Sequence, residues 1–105
     1  MDTPTAQDTA KRVDALAREA ARRIREELGP ETRVIWFGSW VRGSARPHSD
    51  IDLAIGPETA PSTEALARIQ ERIEAIPTLY LFDLVVMSEA ASAIREAIER
   101  EGVEL

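Results

Sequence analysis

Three aspartates in apolar surroundings are the first candidates for chemistry. Asp50 and Asp52 stand two positions apart in the run GSWVRGSARPHSDIDLAI, ten residues after a Gly-Ser pair. Asp83 is the only charged residue in the apolar run LYLFDLVVM. An ionised carboxylate within an apolar segment is unfavourable unless it is paired, hydrogen bonded or bound to a cation. The aspartates therefore need a partner that the local sequence does not supply.

The alternation of residues 50–55 predicts a β-strand on which Asp50 and Asp52 point to the same face. The rise of a strand separates their Cα atoms by about 6.6 Å, and a neighbouring strand would lie about 4.8 Å away. If the strand that carries Asp83 pairs beside this one, three carboxylates converge. Their mutual repulsion leaves two interpretations, a divalent-cation site or a partly protonated cluster.

The available ligands favour Mg²⁺ or Mn²⁺ at such a site. The chain has no cysteine and a single histidine, so thiolate ligands are excluded and all-oxygen coordination is expected. Two divalent ions about 3.5–4 Å apart stabilise both the attacking and the leaving oxygen of a displacement at phosphorus. The acids thus indicate phosphoryl or nucleotidyl transfer.

Gly38 and Ser39 offer the features that a phosphate group requires. Glycine permits a close approach of the main chain, serine adds a hydroxyl, and a following helical turn presents free N–H groups at its positive end. Arg42 and Arg46 are near enough in the sequence to contact the same phosphates with their guanidinium groups. We therefore predict a phosphate-binding turn formed by these four residues.

The positions of apolar residues predict three longer helices. One covers about residues 5–28, the next begins at an N-cap, Ser62, and stops before Pro77, and the last begins at Ser88 as N-cap and ends at Gly102. Each has one apolar face and one charged face, which is typical of helices that cover a sheet.

Between the helices, short β-branched and aromatic runs predict strands. They cover 33–37, 50–55 and 79–87, the last buried on both faces, and residues 103–105 suffice only for a stub of edge strand. One helical turn fits at 40–42. The order α, β, short α, β, α, β, α predicts an α/β layer fold around a small sheet.

Length and composition restrict the class of protein. With 105 residues and a net charge of −6, we expect one domain over residues 1–105, with about residues 1–7 flexible. The acidic balance argues against direct nucleic-acid binding, which normally needs a basic face. No apolar run approaches the roughly 20 residues of a membrane span, and no signal-peptide pattern opens the chain, so a cytoplasmic protein without membrane contact is expected.

The segment from Gly38 to Leu53 resembles a known signature. Gly38-Ser39, ten further residues and Asp50-Ile51-Asp52 match the G-S-x10-D-x-D pattern of the DNA polymerase beta-like nucleotidyltransferase superfamily. The full run GSWVRGSARPHSDIDL resembles the minimal nucleotidyltransferase (MNT) branch of that superfamily. Asp83, within FDLV, matches the third acid of the family.

This resemblance implies a small mixed β-sheet flanked by helices, as in the palm of polymerase beta, and transfer of AMP from ATP to a hydroxyl. It implies that Asp50 and Asp52 bind two Mg²⁺ ions, or Mn²⁺ in their place. Asp83 would complete the catalytic metal site and help to deprotonate the acceptor. Gly38 and Ser39 would hold the β- and γ-phosphates.

The resemblance also implies a partner. Members of the MNT branch commonly occur with a small helical HEPN protein, and the two form a toxin–antitoxin module in which the MNT protein is the antitoxin. In such modules the antitoxin can adenylylate a tyrosine of the HEPN ribonuclease toxin and silence it.

Several of these residues also have a plainer interpretation. Asp83 could be a buried acid paired with Arg33, and Ser39 could be only the cap of a turn. Arg42 and Arg46 could form surface ion pairs, which contribute little.

The aromatic residues and the histidine are expected to be structural. Trp36 and Tyr80 fit the core, and Trp40 fits packing under the loop better than stacking on a nucleobase. His48, in a loop, is expected to be solvated.

Two other functions compete with the adenylyltransferase antitoxin. One is an antitoxin that neutralises its partner by docking alone, without catalysis. The other is a small-molecule nucleotidyltransferase of the aminoglycoside-modifying kind, which usually needs an additional helical domain to hold its acceptor. A chain of 105 residues leaves no room for that domain.

Overall fold

A computed structural model describes residues 5–105, and its first helix is α1 (Ala6–Leu28). The Thr5 hydroxyl accepts a hydrogen bond from the Asp8 N–H at 3.0 Å, and the Asp8 carboxylate accepts one from the Thr5 N–H at 3.3 Å. This capping box satisfies two amides that have no acceptor within the helix. Of the segment 1–7, expected to be flexible, Ala6 and Gln7 are therefore helical, whereas residues 1–4 lie outside the described residues.

Three shorter helices follow: α2 (Ser39–Arg42), α3 (Thr63–Glu74) and α4 (Ser92–Glu101). Ser62 caps α3 as predicted, because its hydroxyl accepts from the Ala65 N–H at 3.1 Å. None of the helices within residues 5–105 combines the length and the apolarity that crossing a membrane requires.

The prediction that Ser88 caps the last helix is wrong. Met87–Glu89 forms a 3₁₀ turn, closed by the Ala90 N–H donating to the Met87 carbonyl at 3.1 Å, and α4 begins after Ala91. The Met87 side chain is fully buried and holds this turn against the sheet, which separates Ser88 from the helix.

The sheet has four strands in the order β3-β2-β1-β4. They are β1 (Val34–Phe37), β2 (Ile51–Ile55), β3 (Phe82–Val86) and β4 (Val103–Glu104). β2 and β3 are parallel, whereas β1 is antiparallel to both β2 and β4. The sheet is therefore mixed, as the resemblance implies, and the predicted stub at 103–105 is an edge strand.

The strand predicted at 79–87 differs from β3 in length and burial. β3 begins at Phe82, and the preceding residues Leu79 and Leu81 are 101% and 70% exposed. β3 also lies at an edge of the sheet and is only partly buried. A continuous apolar run is typical of central parallel strands, and this pattern alone does not distinguish them from a parallel edge strand.

The two faces of the sheet are covered unequally. On one face, α1 and α3 pack on β2 through a fully buried cluster that includes Ile24, Ile69 and Leu53. On the other face, a smaller cluster joins Ile98 of α4 to Ile35. Asp52 of β2 and Asp83 of β3 point to this second face, where Asp83 is exposed to solvent.

Candidate functional site

The register of β2 and β3 brings two of the three acids together. Asp52 of β2 is paired with Asp83 of β3, and Phe37, the last residue of β1, is the partner of Asp52 on the other side. Adjacent residues on parallel strands lie about 4.8 Å apart and point to the same face. The structure therefore places two carboxylates side by side at the edge of the sheet.

Asp50 lies one residue before β2, on a loop that Trp40 holds in place. The Trp40 indole N–H donates to the Ser49 carbonyl at 2.9 Å, and its ring meets Tyr80 edge-on, with ring centroids 6.0 Å apart. Trp40 thus contacts both segments that lead into the acid-bearing strands. The packing interpretation of Trp40 agrees with these contacts, and the residue positions the loop that carries Asp50.

Gly38 lies directly against the Asp52 carboxylate. Its φ is +87°, a left-handed conformation that side chains disfavour, and an added Cβ would be 2.1 Å from the Asp52 Oδ2. No other residue fits this position without moving Asp52. The glycine therefore places the main chain of the turn in contact with an acid of the candidate metal site.

The turn that follows Gly38 is the single-turn helix α2. It closes through the Arg42 N–H donating to the Gly38 carbonyl and the Ser44 N–H donating to the Ser39 carbonyl, both at 3.0 Å. Gly43 ends it at φ +76°. The first amides of a helix have no acceptor within it, so the start of α2, beside Asp52, presents donors that suit a phosphate.

Arg42 lies between the acids and α4. Its guanidinium is 3.9 Å from the Glu101 carboxylate, and its positive charge acts on Asp52. Both partners of this ion pair are about half exposed. Sequence patterns did not single out Glu101, because a glutamate at the end of a charged helix carries no signal of its own.

The remaining candidate arginine, Arg46, is exposed on the loop before β2. Its main-chain N–H donates to the Ser49 hydroxyl at 2.8 Å, and the Ser49 N–H donates to the Arg46 carbonyl at 3.0 Å. This turn fixes the main chain at Arg46 and leaves the side chain in solvent. His48 is also exposed, as expected of a solvated loop residue.

Burial and like charges raise the pKa of the Asp52 carboxyl above its ordinary value. Removal of the carboxylate from water is the largest cause, followed by the negative charges of Asp83 and Asp50, while Arg42 acts in the opposite direction. All three candidate acids therefore share one electrostatic environment, although Asp50 lies outside the strand.

Within residues 5–105, these acids form no ion pair, and the alternative partner considered for Asp83, Arg33, is engaged elsewhere. Arg33 pairs with Glu58, Glu99 and Glu104 instead of Asp83. Within residues 5–105, the carboxylates of Asp50, Asp52 and Asp83 accept no hydrogen bond.

The donor set fits a hard divalent cation, because it consists of carboxylate oxygens and lacks neutralising charge. Over the same described range, no three acidic or histidine side chains are already arranged as a metal-binding cluster. The negative charges of these acids therefore lack a neutralising partner. Asp52 and Asp83 are paired across the strands, whereas Asp50 lies outside this pair.

A small cavity adjoins the site on the side of α4. It has a volume of about 310 Å³, its walls are mainly apolar, and Arg42 and Glu101 lie at its polar end. Phe37 and Ile94 contribute to its lining. The site is thus open above β3 and bounded by α4 above β1.

Comparisons with known proteins agree with this geometry. Residues 24–105 match the family described as polymerase beta, nucleotidyltransferase. The chain is 32% identical over 95 residues to a protein named protein adenylyltransferase MntA from Thermococcus cleftensis, covering 90% of this chain and 94% of that protein.

Two crystal structures share the fold. One is a toxin–antitoxin with AMP-PNP, with a TM-score of 0.62 and 20% identity, covering 82% of this chain and 69% of that one. The other is a mutant of a toxin–antitoxin pair that contains MntA, with a TM-score of 0.64 and 18% identity, covering 84% of this chain and 70% of that one. The family match extends over most of the chain and includes every candidate site residue, so the chain belongs to the polymerase beta nucleotidyltransferase family and is a nucleotidyltransferase.

Proposed function

We propose that this chain is a Mg²⁺-dependent protein adenylyltransferase that transfers AMP from ATP to a tyrosine of a HEPN-type ribonuclease toxin and acts as its antitoxin. One observation carries the proposal: Asp83 is in register with Asp52, and the Asp52 carboxylate lies against Gly38. A carboxylate pair is thereby joined to a phosphate-binding turn. These are the two parts that nucleotidyl transfer needs.

In the proposed reaction, the tyrosine oxygen forms a bond to the α-phosphorus of ATP. The bond from that phosphorus to the α,β-bridging oxygen breaks, and pyrophosphate leaves. Main-chain amides at Gly38–Ser39 and the Ser39 hydroxyl hold the β- and γ-phosphates. Asp83 accepts the tyrosine proton, and Arg42 neutralises charge that develops on the leaving pyrophosphate, with Arg46 as a further phosphate contact.

Asp50, Asp52 and Asp83 are the residues that would hold Mg²⁺, with Mn²⁺ as a substitute. Bound divalent ions supply positive charge to the attacking and leaving oxygens. The raised pKa of Asp52 supports this assignment, since burial and like charges act on the carboxyl without a compensating hydrogen bond. A cation would remove that unfavourable interaction.

Two findings support a protein as the acceptor. The Thermococcus relative is named a protein adenylyltransferase, and both structural neighbours are toxin–antitoxin pairs, one of them with AMP-PNP. On this chain Asp83 is exposed at the edge of the sheet, where a large acceptor can reach it. We propose the cytoplasm as the compartment, because ATP is available there.

The experiment that tests the proposal uses ATP labelled at either the α- or the γ-phosphate. The protein, Mg²⁺ and labelled ATP are mixed with a lysate of the source cell, and the proteins are separated on a denaturing gel. Label that enters one small protein from α-labelled ATP only is the expected result. Label from γ-labelled ATP would indicate a kinase and would overturn the proposal.

Two variants make this experiment specific to the site. Asp52→Asn should abolish labelling, whereas Asp14→Asn, which alters an α1 aspartate paired with Arg18 at 3.0 Å, should leave it unchanged. If the Asp52→Asn protein still labelled its target, the metal assignment would be wrong. If no protein were labelled but a separate assay showed that the chain inhibits the ribonuclease activity of the toxin, the docking antitoxin would be favoured.

A further inference from the structure

The two edges of the sheet are protected to different degrees. β4 has only two residues, Val103–Glu104, and Glu104 forms an ion pair with Arg33. β3 is five residues long and carries one charge, Asp83. Edge strands are normally blocked by charge, proline, a bulge or short length. Within residues 5–105, no strand pairs with the outer side of β3.

The main chain of β3 presents hydrogen-bonding groups on that outer side. The Ile51 N–H donates to the Leu81 carbonyl at 2.9 Å, so the main-chain groups of Leu81, and with them those of Asp83 and Val85, point toward β2. Successive residues of a strand direct their N–H and C=O groups to alternate sides. The groups of Phe82, Leu84 and Val86 therefore face away from β2.

Apolar surface continues along this edge. Leu79 and Leu81, just before β3, are the two most exposed large apolar residues of residues 5–105. Two shallow cavities of about 190 and 240 Å³ beside β3 share Ile73, Glu74 and Phe82. Together they form one depression between α3 and β3, which we call the α3–β3 groove.

The chemistry requires the acceptor to approach from the side of β3. Under the proposed function, the pyrophosphate is held at Gly38–Ser39, directly after β1. In an in-line displacement the attacking oxygen enters opposite the leaving oxygen. Because β2 separates β1 from β3, Asp83 lies on the side of Asp52 away from β1. The acceptor oxygen therefore has to arrive over β3.

We propose that the free edge of β3 binds an extended segment of the acceptor protein as an added strand, with the reacting tyrosine on the same face as Asp83. This inference rests on the proposed function. Hydrogen bonds to the main chain of Phe82, Leu84 and Val86 supply affinity, as in other cases of strand addition. The alternate side chains enter the α3–β3 groove, where Glu74 favours a hydroxyl or basic neighbour.

A second copy of this chain suits the edge less well. Antiparallel self-pairing centred on Leu84 would make the two Asp83 residues diagonal neighbours on one face, about 7–8 Å apart. Each copy also has a net charge of −6. Repulsion between like charges opposes such a dimer, whereas a segment with a neutral tyrosine at this position meets no repulsion.

The test compares three acceptors with the full chain, Mg²⁺ and α-labelled ATP. The first is a short peptide of alternating valine and threonine with one central tyrosine. The second is the same peptide with every main-chain amide of the strand N-methylated, so that neither of its two edges can donate hydrogen bonds to β3. The third is N-acetyltyrosine amide, which needs no edge. We expect kcat/KM for the first to exceed that for the second by about tenfold or more, the effect of losing one or two hydrogen bonds.

Two variants of the protein, in place of changes to the peptide, test the same edge. Leu81→Glu places a charge beside β3 and should lower transfer to the first peptide by about tenfold without changing transfer to N-acetyltyrosine amide. Val103→Glu is the matched control, because Val103 is 48% exposed and lies at the opposite edge. It should change neither reaction.

The outcomes separate the inference from the function on which it rests. Equal modification of both peptides, with transfer to N-acetyltyrosine amide intact, would overturn strand addition and leave the adenylyltransferase standing. No transfer to any acceptor would overturn both. If the chain formed a dimer that Leu81→Glu dissociated, with transfer to the peptide unchanged, the edge would serve self-association and the inference would be wrong.

Discussion

The two faces of β2 perform opposite tasks only one residue apart. Ile51, Leu53 and Ile55 are fully buried against α1 and α3, whereas Asp52, between them, points to the open face beside Asp83. Burial of the apolar side chains stabilises the strand, whereas partial burial of the Asp52 carboxylate destabilises it. Packing of the apolar face therefore holds the Asp52 carboxylate in a partly buried position that is unfavourable for its solvation. A preorganised site requires such support from the surrounding fold.

The largest expected effect on the acidic face is on catalysis. Asp52→Asn removes one candidate metal ligand and the charge that would hold it, and bound divalent ions are worth several kcal/mol in such reactions. We expect the rate of AMP transfer to fall by at least about a thousandfold. Full transfer activity in a folded Asp52→Asn protein would contradict the assignment.

The apolar face should respond in the opposite way. Leu53→Ala removes a fully buried side chain from the main core and should lower the free energy of unfolding by about 2–5 kcal/mol. Urea unfolding at low temperature would measure the loss. Transfer activity of the protein that remains folded should be close to that of the original chain, so a large loss of specific activity would mean that the two faces are not separable.

The phosphate turn gives the next effect in size. Ser39→Ala removes one hydroxyl that we expect to contact a charged phosphate, and nucleotide affinity should fall by about 1.5–3 kcal/mol. Calorimetric titration with a non-hydrolysable ATP analogue would measure it. An unchanged affinity would mean that Ser39 only begins the helix α2.

Gly38→Ala tests how the turn and the acid are joined. The added Cβ would meet the Asp52 Oδ2, and φ is positive, so the fold should lose about 1–3 kcal/mol. Transfer should fall as well, because Asp52 must move. Gly43→Ala is a matched control, since Gly43 also has positive φ but an added Cβ there meets nothing within 4 Å. Equal loss of activity in both variants would show that only backbone strain matters.

The smallest effect is on stability in metal-free buffer. Since the pKa of Asp52 is higher in the folded chain than in the unfolded one, the folded state binds its proton more tightly, and ionisation of Asp52 destabilises the fold. Stability from this source is present at acid pH and is lost as the pH rises through the raised pKa. Asp52→Asn should therefore melt slightly above the original chain at pH 7 with EDTA, and the difference should shrink toward pH 3.

Addition of Mg²⁺ should reverse that order, because a cation stabilises only the chain with the intact carboxylate. Thermal melting of both proteins with and without Mg²⁺ is the measurement. If the original chain melted above Asp52→Asn even in EDTA, the carboxylate would be making a stabilising contact that the structure does not contain.

Much of the fold could be predicted from local patterns. Ser62 has a side chain that caps helices, and the alternation around Asp52 identified both the strand and the face of the acid. These features depend on neighbours in the sequence, so the sequence reveals them directly. The spacing of Gly38, Ser39, Asp50 and Asp52 likewise identified the family.

The parts that could not be predicted depend on contacts between distant segments. The apolar run at 79–87 does not reveal that, within residues 5–105, no strand pairs with its outer side, because strand order is set by the whole sheet. Ser88 has a capping side chain, yet burial of Met87 starts a 3₁₀ turn there instead. The pairing of Arg42 with Glu101 joins residues that are far apart in the chain.

The contact between Gly38 and Asp52 has a consequence for how two ligands would bind. A cation that draws the Asp52 carboxylate away from its present position would change its packing against the main chain at Gly38, which begins the phosphate turn. A triphosphate that moves the turn would shift Asp52 in return. Thermodynamic linkage makes this coupling reciprocal, so the cation and the nucleotide should each change the affinity of the other by the same factor.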